Sequence, residues 1–248
     1  MKLKVTRRQA IAAGLASVGG VALGPKSLPP TYGSLLRMAD NLTYAAHRAL
    51  LPEQALVKEY SDEDITSFPA IGTTDPGASG SPERARDYDR MRKSVFADWR
   101  LSVEGLVARP LSFSLADLKR LAARTQITRH TCEEGWSAVA KWTGVPLSAI
   151  LDAAGVLPAA RYVLSHSYDD FANSIDMLDA FHPQTIVAYG MNGRDLQIQH
   201  GAPLRLRVER QLGYKGLKYL HRLVLTNEFD DGGTKGDLAN GWSWYTGI

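Results

Sequence analysis

From Gly33 to about Lys58 the apolar positions Leu35, Leu36, Ala39, Leu42, Ala46 and Leu50 return at near-helical spacing, which predicts a leading helix with one buried face. The period then breaks. Between Ser61 and Pro82 the chain runs through Asp62, Glu63 and Asp64 into FPAIGTTDPGASGSP, too rich in proline and glycine for a regular element, and reads as loop. Past Arg84 the pattern switches to short alternating runs. Trp99, Leu101 and Val103 alternate with Arg100 and Ser102 as in a half-buried strand, and Gly105 with Arg109-Pro110 marks the turn after it. Ser114, with Asp117 three positions on, has the pattern of a capping box opening a helix through Leu121. Gln126 to Thr131 predicts a strand, Val145-Pro146 a helix running to Ala154 and stopped by Gly155, and Tyr162 to Ser165 a further strand. Ile186 to Tyr189, Leu204 to Val208 and Leu223 to Leu225 complete a strand-rich second half, with Asn192-Gly193 as a tight hairpin turn. The fold class predicted is α+β with a mixed, antiparallel-leaning sheet and no internal repeat.

The first 32 residues stand apart. A basic segment carrying Lys2, Lys4, Arg7 and Arg8 precedes an apolar stretch, Ala10 to Gly24, which is too short and too glycine-rich to span a membrane comfortably. The paired arginines match the twin-arginine pattern of a leader that exports folded proteins, which divides the chain into a leader, 1–32, and one domain, 33–248. No clear cleavage site follows, so an uncleaved leader acting as a tether stays open. The formal charge of +3 owes four positives to this leader, leaving a near-neutral body and arguing against a nucleic-acid partner.

The sequence holds a single cysteine, Cys132, at the end of the Gln126 to Thr131 strand. One thiol closes no internal disulfide, and the absence of any CxxC spacing excludes intrinsic iron-sulfur clusters, zinc ribbons and covalent c-type haem. Core packing, nucleophilic chemistry and metal ligation remain. A soft thiolate suits a thiophilic metal. Used as a nucleophile it would need His130, His166 or His200 as base, with Glu133 and Glu134 opposing it by raising the thiol pKa. A second candidate cluster follows His200-Gly201, where Arg205 and Arg207 share a strand and Gly213 and Gly216 bracket Lys215 before Lys218. Taken alone, that run reads either as a solvated basic strand face or as a phosphate-seeking site.

Together the two clusters resemble the sulfite oxidase-type molybdopterin oxidoreductases. RHTCEEGWSAVAKWTGVPL is similar to that family's metal-ligand segment, C-x-x-G-W-S followed by W-x-G-x-P-L. NGRDLQIQHGAPLRLRVERQLGYKGLKYL is similar to its second signature, N-G-x-x-L-x-x-x-H-G-x-P-x-R-L ending in G-x-K-x-x-K. The resemblance implies a sulfite oxidase-like fold over about Phe68 to Ile248 and a molybdenum-molybdopterin cofactor. It implies that Cys132 ligates molybdenum, that His200 and Arg205 hold the pterin and its phosphate, and that Gly216, Leu217 and Lys218 contact the phosphate side through backbone amides and the lysine ammonium. It also implies that Ser167 hydrogen-bonds the cofactor and that Pro69 and Ala70 touch the pterin by main-chain atoms. Arg129 and His130 are candidates for the substrate entrance.

The chain lacks the F-x-R-N-H motif of animal and plant sulfite oxidases, and Trp242, with Tyr245 three residues on, falls near their metal-side tyrosine. No room follows Leu225 for their dimerisation domain, so a monomer is expected. The shorter bacterial branch, with the periplasmic protein-methionine-sulfoxide reductases, is the nearer match. That branch implies oxygen-atom transfer to or from a small or protein-bound sulfur substrate in the periplasm, with a c-type cytochrome or membrane haem subunit as electron partner. A non-catalytic binding module and a cysteine hydrolase are the competing classes.

Overall fold

In the computed structural model, residues 35–248 are described, with side chains from Met38 onward; the leader expected over 1–32 lies outside them. The leading helix, α1, spans Leu35–Leu50. The stretch read as loop contains a short 3-10 turn at Asp62–Asp64 and one helical turn, α2, at Pro76–Ser79. Asp75 caps α2 by accepting from the Gly77 amide at 2.9 Å, and proline at the first position suits a helix start, so the composition that argued for loop also permits this turn. Helix α3, Pro82–Lys93, buries only Tyr88 and Met91, which explains why no apolar stripe announced it.

Two five-stranded sheets form the body. The first takes β1 (Arg100–Gly105), β2 (Leu111–Ser114), β5 (Tyr162–Ser167), β6 (Ala172–Asp176) and β10 (Leu220–Thr226) in the order β2-β1-β10-β5-β6. Only β1 and β10 pair in parallel, Ser102 opposite Arg222. The second sheet is antiparallel throughout: β3 (Arg124–Thr131), β4 (Ser137–Pro146), β7 (Ile186–Met191) and β8 (Arg194–Asp195), with β9 (Arg205–Arg207) also on β7. The single mixed sheet expected from the sequence is therefore two sheets, and the antiparallel bias holds in both.

The local signals are realised where they depend on neighbours in sequence. Ser114 accepts from the Asp117 amide while Asp117 accepts from the Ser114 amide, opening α4 at Leu115–Arg120. Helix α5, Leu147–Ala154, ends on Gly155 at φ 69°, and the β7–β8 hairpin turns through Asn192 and Gly193 at φ 50° and 76°. A last short helix, α6, is Met177–Ala180.

The main core lies between the sheets, where Leu101, Val103, Val163, Leu223 and Leu225 of the first meet Val145, Val187 and Leu206 of the second, with α5 adding Ile150 and Leu151. On its other face the second sheet presents Trp142, Ile186 and Ala188, which Phe68, Leu196 and Ala202 cover. Burying both faces lets β9 carry arginines that never reach bulk solvent.

Candidate functional site

Cys132 is placed by a hairpin. Strands β3 and β4 pair down to Thr131 opposite Ser137, and the loop between them closes with the Cys132 amide donating to Trp136 O at 2.9 Å. The thiol is 4% exposed, yet it forms part of the wall of a cavity of about 180 Å³. The same wall carries His130, Arg205, Gly216, Leu217 and Lys218. Residues 70 to 90 positions apart in sequence thus meet around one opening. Asp169, Tyr214 and Trp242 also line it, and the indole of Trp242 stacks on Tyr214 with centroids 5.1 Å apart.

Arg205 is buried on β9. Its Nε donates to Gly216 O at 3.1 Å and its Nη1 to His200 O at 3.3 Å, and the guanidinium lies 5.4 Å from the Trp142 ring centroid and 5.8 Å from that of Phe68. Lys218 donates to Ile71 O at 2.8 Å, to Thr73 O and to Gln199 O at 3.2 Å. Among the described residues, neither cation has a carboxylate at ion-pair distance. Two charges held by carbonyls alone lack a countercharge, which a phosphate is suited to supply. Arg207, two residues on, is bidentate on buried Glu209 and is not available in this way. At 6% and 3% exposed, Arg205 and Arg207 rule out the solvated basic strand face that the sequence had allowed.

Burial pushes Lys218 down to about 7, with Arg205 adding repulsion, whereas the unfolded chain holds its lysine proton to about 10.5. Between those values the unfolded state binds more protons, so stability rises with pH. We expect the cofactor-free chain to become more stable from about pH 7 upward, the slope to flatten in Lys218→Met, and bound inorganic phosphate to shrink it. Thermal unfolding across this range checks all three.

The remaining expected residues fall into two groups. His200 faces a second cavity of about 350 Å³, bordered by Thr66, Phe68, Asn192 and Gln197. Ser167 is buried and donates to Asp169, so it reaches the first cavity through that carboxylate. Ile71, Gly72 and Thr73 line the first cavity where the sequence pointed to Pro69 and Ala70. The Gly216 and Leu217 amides, expected to face the phosphate, donate here to Gly213 O and Lys215 O. Arg129 points away from the cavity, over the Tyr60 ring, because strand alternation sends it to the face opposite His130. Tyr245 is buried beside Tyr44 and His47. Sequence reading missed Asp169 and Tyr214; the period-2 spacing of Arg205 and Arg207 was the available sign that two cations share one face.

The geometry also weighs against a cysteine hydrolase. Among the described residues no imidazole hydrogen-bonds Cys132 Sγ, whose partner is Glu133 Oε2 at 3.5 Å. Burial, with added repulsion from Glu133, pushes the thiol up to about 11, and burial beside Arg207 drives His130 far below the ordinary histidine range. A protonated thiol without a base is a poor nucleophile.

Residues 89–233, more than half of the chain, match the family described as oxidoreductase molybdopterin binding domain. The chain belongs to this family. Among its relatives, a protein of Azospira oryzae provisionally named protein-methionine-sulfoxide reductase subunit YedZ1 is 39% identical over 64% of this chain and 60% of its own length. The protein-methionine-sulfoxide reductase catalytic subunit MsrP of Xanthomonas campestris pv. campestris is 33% identical over 63% of this chain and 52% of its own. The chain thus spans between half and two thirds of these relatives. The crystal structure of the sulfane dehydrogenase SoxCD from Paracoccus pantotrophus shares the fold, with a TM-score of 0.51 and 27% identity over 53% of this chain and 39% of that one. The fold is accordingly the α+β, sulfite oxidase-like one. A thiol and two cations lacking carboxylate partners around one cavity fit the family's cofactor chemically, soft donor for metal and positive charge for phosphate.

Proposed function

We propose that this chain is a molybdenum-molybdopterin oxidoreductase that reduces S-oxides, protein-bound methionine sulfoxide foremost, with electrons from a haem-carrying partner. The observation that carries the reading is the meeting of Cys132 with Arg205 and Lys218 on one cavity wall in a chain of the molybdopterin-binding family. The names of the two curated relatives support the substrate class. When bound, the cofactor supplies a metal centre that exchanges one oxygen atom with sulfur as it changes oxidation state. Cys132 would give its thiolate to the metal, and Arg205 and Lys218 would neutralise the phosphate. Ile71, Gly72 and Thr73, with Ser167 acting through Asp169, would complete the cradle, and His200 would act from the second cavity. Trp242 and Tyr214 offer an aromatic wall of the kind that sulfur-containing side chains favour. Arg7 and Arg8 support export of the folded, loaded chain to the periplasm.

One preparation tests these parts together. Wild type and the Arg7→Lys, Arg8→Lys variant are fractionated, and each fraction is assayed for molybdenum, pterin and turnover of methionine sulfoxide and sulfite with artificial donors and acceptors. The expected result is stoichiometric molybdenum, S-oxide reduction by the periplasmic wild type, and a loaded, active cytoplasmic pool of the variant. Metal-free protein would favour a binding module, sulfite oxidation alone would reverse the substrate, and unchanged periplasmic activity in the variant would reject the route.

A further inference from the structure

The contact between Arg207 and His130 decides where the imidazole proton sits. Arg207 Nη1 lies 2.8 Å from His130 Nδ1. A guanidinium has only donors and stays protonated, so Nδ1 must accept and the ring proton must be on Nε2. Arg207 is itself held fast. Its Nε and Nη2 donate to the two oxygens of Glu209 at 2.9 and 2.8 Å, its guanidinium lies 4.4 Å from the Trp142 ring centroid, and the Arg207 and Glu209 side chains are 3% and 0% exposed. Glu209 Oε1 accepts in addition from Gln126 Nε2 at 3.1 Å.

The far side of the ring is different. His130 lines the cavity that holds Cys132, and its Nε2–H has no acceptor among the described residues. Room for that edge exists because residue 213 is glycine: a Cβ there would come within 2.3 Å of Nε2. A donor with a fixed tautomer, buried flanks and a free N–H on a cavity wall is preorganised for an oxygen atom.

We propose that His130 is a catalytic residue, a neutral imidazole whose Nε2–H donates to the oxygen of the bound S-oxide, and that Arg207 and Glu209 are the positioning residues that keep the proton on Nε2. This rests on the oxygen-transfer reading above. In the net reaction the S-oxide takes two electrons from the haem-carrying partner and two protons from solvent, giving thioether and water. As the sulfur-oxygen bond breaks, sulfur keeps the bonding pair as the second lone pair of the thioether and the two incoming electrons pass to the oxygen, whose growing negative charge strengthens the bond from Nε2–H beyond what the substrate alone draws. His130 keeps its own proton throughout, because Nδ1, engaged by Arg207, cannot take a replacement.

The test joins a spectroscopic and a kinetic measurement on the loaded enzyme. Long-range nitrogen–proton correlation spectra of the 15N-histidine-labelled protein, with His130 assigned by its loss in His130→Gln, should show a bare Nδ1 and a protonated Nε2. A protonated Nδ1 would overturn the assignment. His130→Phe should lower kcat for methionine sulfoxide about 10²–10³-fold with KM and molybdenum content little changed, the usual effect of removing one such donor. His130→Gln, which restores an N–H in nearly the same place, should recover to within about tenfold of wild type. Wild-type kcat in His130→Phe, or equal losses in both fully loaded variants, would reject the donor role. Should His130→Phe fail to fold, the paired variant Arg207→Met, Glu209→Gln serves: it removes both buried charges together and should release the tautomer and lower kcat, and an unchanged tautomer and rate would reject the positioning role. A loaded wild type that reduces no S-oxide would instead remove the functional reading itself, a result separate from the contrast among variants.

Discussion

Cys132→Ser should retain the pterin and lose turnover. The phosphate side of the cradle, Arg205 and Lys218, sits on β9 and just before β10, and the substitution, in the β3–β4 hairpin loop, leaves those elements untouched. What changes is the donor atom. A hydroxyl is harder than a thiolate and ligates a thiophilic metal poorly. Replacing groups that merely orient a metal's ligands already costs about 10–100-fold, so loss of the ligand itself should exceed about 100-fold in turnover. Pterin fluorescence after denaturation, molybdenum analysis and S-oxide turnover on the same sample check this. Near wild-type turnover would show that Cys132 is a core residue with no bond to the metal, consistent with its 4% exposure alone.

Arg205→Met should have the second large effect, yielding protein that folds but is purified without pterin. Methionine keeps an unbranched stem against Trp142 and Phe68 while removing the charge that has only carbonyl partners. Truncating one partner of a buried, hydrogen-bonded charge pair costs about 2–5 kcal/mol, or about 30- to 5,000-fold in affinity for a phosphate-bearing ligand. The cofactor-free fold should suffer less, because burial pushes Arg205 down to about 9 and its charge is unfavourable there without an anion. Pterin content and thermal unfolding of the purified variant separate the two effects. Full pterin in Arg205→Met would mean that Lys218 alone holds the anion.

Much of the site was legible as two separate motifs. The Cys132 segment and the His200 to Lys218 run could each be picked out, but each alone admitted a bland reading, and strand alternation could not say that both faces of β9 are buried. By residue type and period-2 spacing alone Arg205 and Arg207 are alike, and only the family resemblance singled out Arg205. They differ because Glu209 reaches back to Arg207 and leaves Arg205 with carbonyls only. The same holds for the pair Arg129 and His130, adjacent in sequence and on opposite faces of β3. Strand β4 was missed for a related reason. Lys141 and Gly144 interrupt its apolar run, yet Gly144 is what allows the close approach to β7, since a Cβ there would fall 2.2 Å from Val187 O.

What the sequence by itself determined is everything that depends on near neighbours. Caps at Ser114 and Gly155 and the Asn192-Gly193 turn follow from backbone sterics and short-range hydrogen bonds, which a few consecutive residues decide. Only the tertiary structure decided that there are two sheets, that β1 and β10 pair in parallel, and that a hairpin loop, a buried strand and a lysine after a glycine turn share one cavity. Those outcomes depend on which surfaces cover one another. The company each side chain keeps when buried, not residue type, leaves Arg205 without a carboxylate while Arg207 has one, and the Arg207 contact fixes on which nitrogen His130 carries its proton.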